Sequence, residues 1–112
     1  MISRVWHGWT SSANADAYET LLRTTILPAI ARRGIAGYVG VQLTRREDGD
    51  AVEFVTTMWF ETVEAVREFA GESFEVAVVP PAARALLSRF DERSRHYELV
   101  FSQGSVQPAT AR

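Results

Sequence analysis

One uninterrupted stretch, residues 53–71, constrains the fold more than any other part of the chain. Glu53-Phe54-Val55-Thr56-Thr57-Met58-Trp59-Phe60 is rich in β-branched and aromatic residues and follows Asp48-Gly49-Asp50, so it predicts a strand leaving a hairpin. Phe54, Met58 and Phe60 fall on one face and Val55 and Trp59 on the other, which assigns the strand to the middle of a sheet covered on both sides. At Thr62, an N-cap candidate, the apolar period changes from two to about 3.6. Val63, Val66, Phe69 and Ala70 then share one helical face until Gly71 stops the helix.

The elements on either side complete a pattern. Ile2 to Thr10, with Trp6, His7 and Trp9, reads as a first strand. Ser11 to Asn14 offers caps for a helix whose Tyr18, Leu22, Ile26 and Ile30 face a sheet, with Pro28 expected to disturb it and Arg32-Arg33-Gly34 to close it. Gly37 to Glu47 reads as a second strand, with Tyr38, Gly40, Gln42 and Thr44 on one face and Val39, Val41 and Leu43 on the other. Residues 73–79 fit either a short helix or an extended segment. Pro81 opens a helical piece through Leu86-Leu87, and Arg95 to Phe101 reads as the fourth strand.

The order β-α-β-β-α-β is the ferredoxin-like split βαβ arrangement, an α+β fold with a four-stranded antiparallel sheet. Its first and third strands are central. The expected domain spans residues 1–102, followed by a flexible tail over residues 103–112. The helices cover one sheet face. The other is expected to carry Trp6, Tyr38 and either Trp59 or Met58, an apolar patch that the same face of a second subunit would cover in a homodimer.

Composition removes several chemistries. None of the 112 residues is cysteine or lysine, so disulfides, thiolates, iron–sulfur clusters and Schiff bases are excluded. A formal charge of −2 gives no reason to expect nucleic acid or an anionic membrane as partner. No apolar run approaches a membrane span, and the expected location is cytoplasmic. No dinucleotide fingerprint, phosphate loop or Ser-His-Asp arrangement is present.

With Trp59 closing the third strand, Thr62-Val63-Glu64-Ala65 opening the second helix and Phe69 ending it, the chain resembles the antibiotic biosynthesis monooxygenase family up to about Phe101. The resemblance implies a dimeric α/β barrel and two activities. One is cofactor-free oxygenation of electron-rich phenols or quinols by dioxygen, and the other is heme degradation. Heme-degrading members rely on an Asn in the first strand, a Trp late in the second helix and a His ligand beyond it. Here His7 and Phe69 stand at the first two positions, and residues 74–79 contain no histidine.

The expected function is therefore a cofactor-independent monooxygenase of a small phenol- or quinol-type aromatic, with no cofactor and no metal. A non-catalytic homodimer that binds a small apolar molecule is the alternative, and heme degradation comes third. His7 is the candidate catalytic residue, because in the first strand it alone can accept a proton near neutral pH, although a satisfied core imidazole would look the same. Trp9, Thr57, Trp59, Phe69, Phe74 and Tyr97 are the candidate substrate-binding residues, expected around a pocket between sheet and helices. An iron site from His7, His96 and Glu98 requires the two histidines to share a face.

Overall fold

The structure, a computed structural model, describes residues 1–104. The part of the expected tail from residue 105 onward lies outside the described residues. Five strands form one antiparallel sheet: β1 Ile2–Ser11, β2 Tyr38–Asp48, β3 Ala51–Phe60, β4 Leu87–Phe90 and β5 Arg95–Glu98. The order is β2-β3-β1-β4, and β5 also pairs with β1. The expected α+β architecture with β1 and β3 central is therefore formed, but its fourth edge position is shared. β5 pairs with Ile2 to Val5, and β4 pairs with Gly8 to Thr10.

Two expectations are corrected at that edge. Leu87 is not the end of a helix but the start of β4, and the last strand stops at Glu98 rather than Phe101. Helix α3, Pro81–Arg84, is a single turn, and tertiary packing decides the backbone of the residues after it. Leu87 is drawn into the core beside Val52 and Phe54, which fixes its backbone opposite Thr10.

Helix α1 runs through Ala15–Leu21, a π-helical stretch Leu22–Ile26, and Leu27–Arg32. The disturbance expected from Pro28 takes this form. The N–H of Leu27 bonds five residues back to Leu22, and the next residue, Pro28, has no N–H to offer. Helix α2, Val63–Ala70, starts as its sequence dictates: the Thr62 hydroxyl accepts a hydrogen bond from the Ala65 N–H at 3.1 Å. Gly37, at φ 88°, lets the chain pass where a Cβ would lie 3.0 Å from that of Ala65.

The helices cover the sheet face that carries Val52, Phe54, Met58 and Phe60, all buried. Ala15, Tyr18 and Leu22 of α1 close one half of this core, and Ala65, Val66 and Phe69 of α2 close the other. Trp6 and Tyr38, expected on the uncovered face, also lie here. Trp6 sits opposite Thr56, and Tyr38 meets Phe60 edge-on at 5.6 Å. The reason for Tyr38 is a bulge between Tyr38 and Gly40, which puts it on the same side as Val41 and Leu43. The uncovered face carries Val5, His7 and Trp9 of β1 with Glu53, Val55, Thr57 and Trp59 of β3, following the two-residue period. Among the described residues no helix is long and apolar enough to cross a membrane.

Candidate functional site

A cavity of about 420 Å³ lies between the sheet and the helices. Trp6, Thr56 and Met58 form its floor, the π-helical segment of α1 contributes Leu22, Thr25 and Ile26, and Phe69 closes one end. Val78, Val79 and Pro80 form the wall before α3. The widened turn of α1 therefore shapes the site as well as accommodating Pro28.

Two arginines flank Phe69. Arg33 donates to the Phe69 carbonyl at 3.3 Å and to Glu68 at 3.1 Å, capping α2, and its guanidinium lies 5.3 Å from the Phe69 ring centre. Arg4, only 4% exposed, lies 5.4 Å from the same centre. It donates to the carbonyls of Phe74 and Val76, the latter at 3.2 Å, and to His96 Nε2 at 3.0 Å. Because a guanidinium only donates, Nε2 is the acceptor and a neutral His96 carries its proton on Nδ1. Burial, and then the Arg4 charge, hold His96 below its ordinary value, while Glu75 pulls the other way. Burial pushes Arg4 down to about 10, so it remains a cation at neutral pH.

On the opposite face the candidate His7 forms a separate cluster. Its Nδ1–H donates to Glu53 Oε2 at 2.7 Å, and Glu53 Oε1 accepts from Arg46 at 3.0 Å. The His7 hydrogen bond and then Arg46 lower the Glu53 pKa, so Glu53 is ionised and the histidine tautomer is set. Trp9 stacks beside His7 at 6.1 Å, and Arg89 covers Trp9 at 3.7 Å.

The seven residues singled out in the sequence do not meet at one place. Phe69 lines the cavity. Phe74 lies on the helix side but packs edge-on against His96 at 5.1 Å and does not line the cavity. His7, Trp9, Thr57 and Trp59 lie on the uncovered face, where the Trp59 indole donates to Gln42 at 3.1 Å. Tyr97 pairs with Ser3 and is half exposed. The first-strand residue directed at the cavity is Trp6, not His7. His96 is opposite Arg4 and His7 opposite Val55, so the histidines occupy different faces and cannot share an iron. Among the described residues no group of three or more His, Asp or Glu side chains could hold a metal ion. Arg4 and Trp6, which border this helix-side space, were not among the seven. Their shared parity along β1 and its partner Thr56 was the available signal.

No family model and no curated protein matches the chain. Solved structures do. A point mutant of the Mycobacterium tuberculosis heme-degrader MhuD, with two manganese protoporphyrin IX molecules per active site, superposes with a TM-score of 0.63 at 20% identity. That match covers 94% of this chain and 100% of the other. SnoaB, a cofactor-independent oxygenase from Streptomyces nogalater, gives 0.54 at 21% identity over 95% and 98%. An antibiotic biosynthesis monooxygenase-type protein from Chloroflexus aurantiacus gives 0.55 at 13% identity over 92% and 96%. The chain has the antibiotic biosynthesis monooxygenase-type fold.

A porphyrin in this cavity would need an iron ligand from its walls. No histidine lines it: His7 is on the far face and His96 Nε2 is held by Arg4. Tyr18 does line it, and burial pushes its hydroxyl up to about 12. The residues present do not fit a histidine-ligated heme.

Proposed function

We propose that this protein is a cofactor-independent monooxygenase of a small, electron-rich hydroxyaromatic, and that the reaction takes place in the helix-side cavity. The observation that carries this reading is the cavity itself. Its volume of about 420 Å³ is in the range of small-molecule sites, and its walls combine Trp6, Tyr18 and Phe69 with a few polar groups. Such walls hold a flat ring and exclude water from it.

The substrate supplies the electrons. A phenolate passes one electron to dioxygen, and the phenoxyl radical and superoxide combine at a ring carbon. Protonation of the peroxide, loss of the ring C–H proton and O–O cleavage then give a carbonyl and water. For 1-naphthol the sum is naphthol plus dioxygen giving naphthoquinone plus water, a four-electron oxidation with one oxygen atom retained. The chain's part is to bind and orient the ring, exclude water and favour the anion.

The test is oxygen uptake by metal-stripped, flavin-free protein with 1-naphthol under labelled dioxygen. The expected result is one labelled oxygen in the quinone and one dioxygen consumed per product. A requirement for added iron, heme or flavin would overturn the scheme. Tight binding without turnover would favour the non-catalytic binding protein instead.

We also propose that the protein is a homodimer through the uncovered sheet face. Support comes from Val5, Trp9, Val55 and Trp59, which line that face without any helix over them. His7 then belongs to the subunit interface, held by Glu53, rather than to the chemistry.

A further inference from the structure

Arg4 is a buried cation without a counter-charge. None of the ion pairs among the described residues includes it. Its partners are two carbonyls and a histidine whose own protonation is disfavoured by burial and then by the Arg4 charge. The nearby Glu75 is paired with Arg93 at 3.1 Å and is exposed. Burying a guanidinium among neutral acceptors is costly, and an arginine that only tied down residues 74–76 would need no open space beside it.

Open space is present. A recess of about 40 Å³ has Arg4 and Ser94 as walls and shares Trp6, Thr56, Met58 and Phe69 with the main cavity. A water needs roughly 10–15 Å³ by this measure, so the recess holds about three heavy atoms. That is room for a carboxylate or a phenolate oxygen but not for a second ring. Of the five guanidinium N–H groups, three are taken, two on Nη1 and one on Nη2. Nε–H and one N–H of Nη2 remain for a ligand.

We infer that Arg4 is the anion anchor of this site, and that the cavity selects aromatic molecules carrying an anionic oxygen, seating the ring against Trp6 and Phe69 and the oxyanion in the recess between Arg4 and Ser94. The inference rests on the reading of the cavity as an aromatic site and adds the charge of its ligand. In the proposed reaction this ligand is the phenolate, and Arg4 stabilises the form that donates an electron.

The test compares 2-naphthoate with its neutral isostere 2-naphthamide by titration calorimetry at pH 7.5. A charge-assisted hydrogen bond to a desolvated guanidinium predicts at least about tenfold tighter binding of the anion. Arg4→Met removes that preference, bringing the two affinities within about twofold of each other, and Arg4→Lys keeps part of it. Equal affinities in the wild-type protein, or preference for the amide, would overturn the inference and leave the aromatic site standing. Binding of neither probe would overturn both. Should Arg4→Met fail to fold, the wild-type pair of probes together with Arg4→Lys decides.

Discussion

Gly8 tests whether Trp6 is a fixed wall of the cavity. A Cβ at this position would lie 3.0 Å from Leu87 Cδ2, and 3.1 and 3.2 Å from Trp6 Cη2 and Cζ3. The leucine tip can rotate away. The indole is pinned at its other end, where Nε1 donates to the Asp91 carbonyl at 2.7 Å, and it lies against Phe90 at 5.9 Å. Gly8→Ala therefore forces Trp6 either to lose that bond or to tip into the cavity, an overpacking cost of about 1–3 kcal/mol. Against this, alanine lowers the unfolded-state entropy and returns about 0.5–1 kcal/mol. The net expectation is a loss centred near ~1 kcal/mol and at most about 2.5 kcal/mol, or a drop in Tm of roughly 4–8 °C at that centre. Urea unfolding followed by far-UV circular dichroism measures it, as a lower midpoint at unchanged slope. Gly40→Ala is the control, because a Cβ there meets nothing within 4 Å. If Gly8→Ala is as stable as wild type, the indole moves freely and the assignment of Trp6 as a rigid wall is wrong.

Three further outcomes are expected. Thr62→Ala removes the acceptor for the Ala65 N–H and costs about 1 kcal/mol, read as a lower urea midpoint. His96 has a folded-state pKa below its ordinary 6.5, so its contribution is present above about pH 6.5 and is lost as pH falls towards the folded value. Tm should therefore fall between pH 7.5 and 5, and His96→Gln, which still accepts from Arg4 but does not titrate, should flatten that slope; an unchanged slope would refute the assignment. Light scattering after size exclusion should give twice the chain mass for wild type and the single mass for Trp59→Asp; a wild-type monomer at micromolar concentration would sink the dimer.

The strand-to-helix stretch was legible because each local signal agreed with the others. The β3 alternation, the Thr62 cap, the apolar face of α2 and Gly71 all appear where the residues placed them. The split of the last edge strand was not legible, since Leu86-Leu87 has helix-forming residues and only the contact of Leu87 with the core settles its backbone. Nor was the face of Tyr38, which a one-residue bulge reverses. The site was least legible. β1 has tryptophans on both faces, so hydrophobic pattern alone cannot say which parity meets the helices. His7 stood out as the lone imidazole of β1 rather than by its position.

That parity separates two electrostatic arrangements built back to back on β1. Odd-numbered His7 looks out to Glu53, which also takes Arg46, so the Glu53 charge is balanced by protein groups alone. Even-numbered Arg4 looks in to carbonyls and a neutral histidine, so the cavity side keeps an uncompensated positive charge. A surface can screen an excess charge with water and salt, but a residue only 4% exposed cannot. A sequence under selection for stability alone could place an apolar side chain at position 4, because well-packed apolar residues commonly match or exceed buried charges in stability. Retaining arginine there, beside an open recess that leads into an aromatic-walled cavity, is explained if the missing negative charge arrives with the ligand.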